Sequence, residues 1–328
     1  MNRSQQQGFT LVELMIAMML GLLLTSALVT MLSQSRQSYR QDDSYASMQD
    51  ESRYAMQELS RDISMAGFVG DVMSPDVIEL DDSLVVGDDC ASAGGESFIE
   101  QLSDSGTNDY TTLMAVDNIT AATATAAFAC LDGSELVVGT DIVAIKRLVG
   151  EEATDDLEEG DVAIRQNGSI AMLFIEPIID TAYVGVPYEE RIYAPAIYYI
   201  RDWTDVEGDD VPSLCRMVIE GGASADMVSE CIAKGVENLQ LEYGIDTDAD
   251  GAIDEYVVDP TPAQIESAIS ARIFLLARTA DEDFSYTDSR TYELSNADSD
   301  TPGDGFRRRV YTTTVSIQNV RNRVLMYN

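Results

Sequence analysis

The sequence contains no histidine. That removes every Ser-His-Asp or Cys-His nucleophile, every imidazole metal ligand, and the side chain that titrates near neutrality without help. Enzyme chemistry narrows to carboxylate pairs such as a two-carboxylate hydrolase, and no grouping of Asp or Glu around Ser, Cys or a metal motif supports one. The chain therefore reads as a non-enzyme. Positive charge is also scarce: 20 Lys plus Arg stand against 58 Asp plus Glu, a formal net charge of -38. This argues against direct nucleic-acid binding, which depends on basic side chains neutralising phosphates. The acidity is spread along the chain and reads as solubility. The four cysteines, Cys90, Cys130, Cys215 and Cys231, lack C-x-x-C spacing, so neither a zinc nor a thioredoxin-like site is indicated. No internal repeat recurs, no interdomain linker stands out, and no proline precedes Pro75.

What the chain does have is one long apolar run. From Leu14 to Ser35 no residue is charged, and at about 1.5 Å per residue this stretch spans the ~30 Å hydrocarbon layer of a bilayer. A small-residue cleavage site after residue 24, as in a secretory signal peptide, is missing. Arg3 lies on one side, while Arg36 and Arg40 on the other are offset by Asp42 and Asp43, so the positive-inside rule does not settle orientation. Glu13, at the head of the run, needs an explanation, because a carboxylate within a bilayer costs roughly 2.5 to 3.5 kcal/mol. Beyond the run, Met48, Ser52, Ala55, Leu59, Ile63 and Ala66 recur at helical spacing and Gly67 offers a stop. One helix of more than fifty residues is predicted, with a transmembrane half and an amphipathic half.

The string GFTLVELMIAMMLGLLL, residues 8 to 24, resembles the class III signal of type IV prepilins. The resemblance implies cleavage after Gly8 by a prepilin peptidase, N-methylation of Phe9, and a Glu13 carboxylate that pairs with the Phe9 amine of a neighbouring subunit. Such pairing would make a buried carboxylate tolerable. An ordinary signal-anchor whose Glu faces a helix partner is the plainer reading. RYAMQELSRDISMAGFVGD (53 to 71), IYYIRD, GVENLQLEYGIDTDADG and ARIFLLAR are similar to the PilW family of minor pilins. Relatives commonly carry cysteine where this chain has Asp71, so their disulfide pattern is not carried over. The absence of a proline in the apolar half likewise gives no reason to carry over helix melting.

The implied organisation is a leader at 1 to 8, a transmembrane and polymerisation helix at 9 to 35, its amphipathic continuation at 36 to 66, and a β-rich globular domain at 67 to 328. The fold class is α+β and type IV pilin-like, a long N-terminal helix packed on an antiparallel sheet domain. Strands are predicted at 111 to 116, 135 to 148 (broken at Gly139), 170 to 175, 191 to 200, 214 to 220, 236 to 245, 269 to 279 and 309 to 320. The acidic stretches 150 to 161 and 296 to 305 read as solvated turns, and the Ala/Thr-rich stretch 120 to 130 receives no function. Behind an export signal the cysteines read as two disulfides. Of three connectivities the sequence-local one, Cys90 with Cys130 and Cys215 with Cys231, is favoured because short loops close more easily.

One motif carries ligand chemistry. DTDADGAIDEY places Asp246, Asp248 and Asp250 at alternate positions, then Gly251 and Asp254, like the first nine positions of an EF-hand-type calcium loop. The twelfth position, where a bidentate Glu belongs, is Val257. A weak calcium loop, with a dissociation constant of about 10⁻⁴ to 10⁻³ M, and an Asp-rich hairpin turn both stand. No cofactor is required otherwise.

As the resemblance implies, the chain is a structural minor pilin, held in the inner membrane with its C-terminal domain in the periplasm and later incorporated into a surface pilus. Its partners would be the prepilin peptidase, other minor pilins, the major pilin and a tip adhesin. A type II secretion pseudopilin and a calcium-dependent tip adhesion module are the alternatives.

Overall fold

The fold is that of a computed structural model, which describes residues 8, 10–72, 78–82, 84–91, 97–99, 112–153, 157–177, 187–295, 299–317 and 319. The chain divides into two compact units, Met1–Ser47 and Met48–Asn328. Helix α1 (Leu11–Met65) contributes to both, so the division falls inside the segment expected to be amphipathic.

In the first unit α1 is apolar and long enough to cross a bilayer, and its most apolar stretch has no buried residue. Its hydroxyls return to the helix itself: Thr25 Oγ1 donates to Gly21 O at 2.9 Å and Ser26 Oγ to Leu23 O at 2.9 Å. Such bonds satisfy polar side chains where no water is at hand.

In the second unit the chain runs through β1 (Ile78–Leu80), β2 (Leu113–Val116), α2 (Ala121–Ala127), β3 (Ile142–Ile145), β4 (Val162–Gln166) and β5 (Ala171–Ile175). It continues with β6 (Glu189–Ile192), β7 (Ala196–Arg201), β8 (Ser213–Glu220), β9 (Asp226–Lys234) and β10 (Val236–Ile245). The last elements are β11 (Glu255–Val257), α3 (Pro262–Glu266), β12 (Ala268–Arg278), β13 (Tyr292–Glu293), β14 (Ser299–Asp300) and β15 (Arg308–Ser316). A five-stranded sheet has the order β2-β3-β7-β8-β9, and two four-stranded sheets have the orders β1-β5-β4-β6 and β11-β10-β12-β15. All pairings in these sheets are antiparallel except β1 with β5.

The five-stranded sheet is the middle layer, and its strands show why. Successive side chains of a strand face opposite ways, and both faces of β3 and β7 are apolar. Ile142, Ala144, Ile197 and Tyr199 pack into one core with Ile164 and Leu173 of the β4/β5 sheet. Val143, Ile145, Tyr198 and Ile200 pack into another with Leu59 and Ile63 of α1 and with Leu241 and Ile273 of β10 and β12. The whole expected stripe of α1, Met48 through Ala66, is buried. The helix ends at Met65, and Gly67, at φ 78°, turns the chain and donates its N–H to Lys146 O at 3.0 Å.

Several expectations need correction. The strand expected at 191 to 200 is two strands in different sheets, β6 and β7, parted at Tyr193–Pro195; proline has no N–H for a central ladder. Of 135 to 148 only Ile142–Ile145 is strand. The antiparallel sheet domain is as expected, with one parallel pair, β1 on β5, at a sheet edge. Helices α2 and α3 were not expected, although Thr120 with Thr123 and Thr261 with Gln264 form capping boxes at their starts. Thr111, residues 154–156, 296–298 and 318, and the tail from 320 lie outside the described residues.

Two disulfides, Cys90–Cys130 and Cys215–Cys231, close 40- and 16-residue separations. The second joins directly paired residues of β8 and β9. On the chain-entropy view, loops of this size contribute roughly 3 to 4 kcal/mol each by restricting the unfolded chain.

Candidate functional site

At the N-terminus Gly8 is exposed, while Phe9 and residues 1 to 7 lie outside the described residues. Thr10 caps α1. Its Oγ1 accepts from Glu13 N at 3.3 Å, and Glu13 Oε2 accepts from Thr10 N at 2.9 Å and from Thr10 Oγ1 at 2.8 Å. This is a reciprocal capping box, which satisfies N–H groups that a helix start leaves open. The carboxylate also sits at the positive end of the helix dipole. Glu13, expected from the resemblance to be an ion-pair partner, is here a capping residue, a role that the Thr-x-x-Glu spacing signals.

Near its end in the second unit α1 buries two carboxylates that the apolar stripe did not announce. Asp62, 1% exposed, accepts from Arg147 Nη2 at 2.7 Å and from Tyr198 OH at 2.7 Å. Glu58 accepts from Arg61 Nη2 at 2.8 Å and Arg216 Nη1 at 3.4 Å. Register explains the arrangement: Tyr198, Arg216 and Glu230 are direct neighbours across β7, β8 and β9, a polar row facing the helix. Burial, then the Asp62 charge, pushes the Tyr198 phenol well above its usual range, so it stays a donor. Burial alone would lower the Arg216 guanidinium, but its bonds to Tyr198 and Glu230 hold it above the ordinary value. A cleft of about 250 Å³ beside Arg61, Asp62, Arg147 and Arg216 belongs to this network.

The acidic loop between β10 and β11 is wound on its own backbone. Asp246 accepts from Asp250 N at 3.2 Å and Gly251 N at 2.9 Å, and Asp248 from Asp250 N at 3.2 Å. Asp254 accepts from Thr247 N at 2.8 Å and Thr247 Oγ1 at 2.5 Å, bonds that hold its carboxyl below the usual range. Gly251, at φ 93°, makes the turn. Asp246, Asp248 and Asp254 each present an oxygen within 4.8 Å of the others. Asp250 stays outside that set and bonds Ala252 N at 2.7 Å. Val257 is paired in β11 with Tyr243 and supplies no ligand. Three carboxylate oxygens so placed fit one hard cation, while the N–H bonds are those of an Asp-rich turn.

An exposed apolar helix headed by Gly8 and Glu13 and long enough to cross a membrane, with a helix-backed β domain, defines the class: a chain with a prepilin-type N-terminus that fits membrane anchoring. A family model described as the prokaryotic N-terminal methylation motif matches residues 3–29. The family model for type IV pilus-assembly protein W, PilW, matches residues 197–319, from β7 through β15. The chain thus matches the methylation-motif model at its start and the PilW model over its last third. Among solved structures it is similar to a type IV-like pilin, TTHA1219 from Thermus thermophilus, at 12% identity, with 83% of this chain and 95% of that one covered and a TM-score of 0.36. At that score the likeness carries no argument. No curated protein matches the chain.

Proposed function

We propose that the chain is a structural minor pilin. It is cleaved after Gly8 by a prepilin peptidase and methylated at Phe9. Anchored in the inner membrane with its β domain in the periplasm, it then joins other minor pilins in a tip or priming complex for the major pilin. One observation carries this reading: the prepilin motif heads a helix segment with no residue buried by the chain itself, so lipid or other helices must cover it. The mechanism is an exchange of lipid for neighbouring helices, with the free oxygen capacity of Glu13 taking a neighbour's Phe9 amine as the span leaves the membrane. Residues Asp246, Asp248 and Asp254 would hold calcium weakly and stiffen the loop after β10.

The test combines mass spectrometry of the mature N-terminus with surface-pilus counts in a strain carrying Glu13→Ala. Expected are a product beginning at methylated Phe9 and an inserted but poorly incorporated variant. An uncleaved chain beside a processed control prepilin, or wild-type incorporation of Glu13→Ala, would overturn the reading. Loss of enzyme secretion rather than of pili on deletion would assign the chain to a type II secretion pseudopilus.

A further inference from the structure

The edges of a β domain are open to other chains, because the outer N–H and C=O groups of an edge strand have no ladder partner. Most edges here are short: β1 and β11 have three residues each, β2 and β6 four. The nine-residue β9 is protected. A register shift interrupts its pairing with β8. Backbone groups of Val85, Gly87 and Asp88 bond Ala225 and Met227 at 2.7 to 3.1 Å, and Glu51 accepts from Lys234 N at 3.2 Å.

The nine-residue β15, an edge of the β11-β10-β12-β15 sheet, has none of these devices. It pairs with β12 from Arg308 to Ser316 without a shift and holds no proline. Thr279 N donates to Arg307 O, and Ile317 N to Ile269 O. Those bonds turn the odd-numbered residues of β15 toward β12, since backbone groups alternate sides along an antiparallel strand. The N–H and C=O groups of Val310, Thr312, Thr314 and Ser316 therefore point away from β12, and among the described residues none has a partner. Arg290 Nη2 reaches Arg308 O at 3.5 Å, so the open stretch starts at Val310. Thr312, Thr314 and Ser316 are exposed.

Charge and burial define what fits this edge. From Gly305 to Ile317 there is no Asp or Glu, in a chain with 58 of them. Arg307 pairs with Asp283, and Arg308 with Glu237 and Asp304. Arg309 is exposed and makes no ion pair among the described residues. Tyr311, Thr313 and Val315 share its face, because side chains two apart along a strand point the same way; Tyr311 and Val315 are half-buried against the core that includes Leu59 and Ile63 of α1. The other face carries the hydroxyls of Thr312, Thr314 and Ser316. A second copy of this strand fits poorly, since it brings another Arg309 and no carboxylate, on a chain of net charge -38.

We propose that the outer edge of β15, from Val310 to Ser316, takes up an extended segment of another protein as an added antiparallel strand. That segment places apolar side chains beside Tyr311, Thr313 and Val315 and a carboxylate beside Arg309. The proposal is independent of the pilus reading. It is tested on the full chain in detergent with the fluorescein-labelled peptide VTVTVTE, whose pattern matches this description, and with VTVTVTK as its charge-reversed control, by fluorescence anisotropy. VTVTVTE should bind saturably with a dissociation constant of about 0.1 mM or tighter. Thr312→Pro and Thr314→Pro should each weaken it at least about tenfold with little change in melting temperature, because the N–H that each removes serves no bond within the chain. Arg309→Glu should weaken VTVTVTE and strengthen VTVTVTK, a reversal that misfolding does not produce. No saturable binding up to about 1 mM, or binding unchanged by both proline variants, would overturn the proposal. So would a dimer of the free chain in sedimentation velocity that Thr314→Pro dissolves, which assigns the edge to a second copy. Binding about tenfold tighter after removal of residues 320–328 would overturn it too, by assigning the edge to the chain's own tail.

Discussion

Replacing Asp62 with asparagine changes one oxygen to nitrogen at the point where helix α1 is fixed to its domain. The wild-type carboxylate, 1% exposed, holds the Arg147 guanidinium at 2.7 Å and the Tyr198 hydroxyl at 2.7 Å. The Arg147 side chain is only 11% exposed, and its Nε already lacks a partner. Asparagine keeps the shape but leaves that cation buried without a countercharge. Removing one partner of a buried pair costs about 3 to 5 kcal/mol, a large part of a total stability of about 5 to 15 kcal/mol. At about 2 to 4 °C per kcal/mol for a domain of this size, the melting temperature should fall by roughly 6 to 20 °C. The assay is thermal and urea unfolding of the full chain followed by near-UV circular dichroism. A second variant separates charge from packing: adding Arg147→Met to Asp62→Asn removes the orphaned cation and should restore most of the loss. Asp62→Asn within about 0.5 kcal/mol of wild type, the range of ordinary surface substitutions, would refute the claim that this pair anchors the helix. So would a double variant no better than the single one.

Asp288 offers a pH test. Burial works to raise its carboxyl, but hydrogen bonds from Arg290, Tyr292 and Tyr286 outweigh this and hold it down at about 2, against an ordinary 3.8. A depressed carboxyl adds stability that is complete above its unfolded value and lost as pH falls toward 2. The melting temperature should therefore drop between pH 4 and pH 2, and Asp288→Asn should flatten that slope while lowering stability at pH 7; an unchanged slope would count against it. Calcium at about 5 mM, five times a dissociation constant of about 1 mM, should stabilise by about 1 kcal/mol. That is a rise of about 2 to 4 °C, absent in Asp246→Asn; no rise in the wild type would leave the loop a hydrogen-bonded turn. Raising sodium chloride from about 0.05 to 0.5 M should increase the melting temperature, because salt screens exposed repulsion far more than buried pairs; a fall would mean the pairs are more exposed than their burial indicates.

The long helix was legible because its apolar residues hold a 3.6-residue period from Met48 to Ala66, and strands such as β2, β3 and β5 because their apolar runs are uninterrupted. The residues that do specific work on the helix were not. Glu58 and Asp62 stand beside Leu59 and Ile63, on the same face, and a pattern that scores carboxylates as exposed assigns them to solvent. Their partners Arg147, Tyr198 and Arg216 come from 85 or more residues away, a separation that no local pattern reports. Strand β9 was missed for a related reason. As an edge strand it is partly exposed on both faces, so alternation is faint. At the N-terminus the signal was present in plain sight, since Thr10-x-x-Glu13 is itself a cap motif.

The placement of the basic residues bears on how such a chain can assemble. With only 20 cations in 328 residues, the domain commits arginines inward. Arg308, 2% exposed, pairs with Glu237 at 2.5 Å and with Asp304, Arg272 pairs with the fully buried Glu242 at 2.7 Å, and Arg147 and Arg216 meet the helix carboxylates. Several also stack on rings, Arg278 on Phe306 and Arg272 on Tyr256 at 4.0 Å. Arginine suits this work because its planar fork binds carboxylates and lies flat on aromatics. The cost falls on the surface, where carboxylates outnumber cations even though some, such as Asp205 with Lys234 and Glu230 with Arg216, are paired. Identical copies therefore repel through their globular units, and the driving force for association is concentrated in the uncharged stretch of α1 from Leu14 to Ser35. If the chain assembles as proposed, its net charge of -38 favours neighbours less acidic than itself over stacking on identical copies.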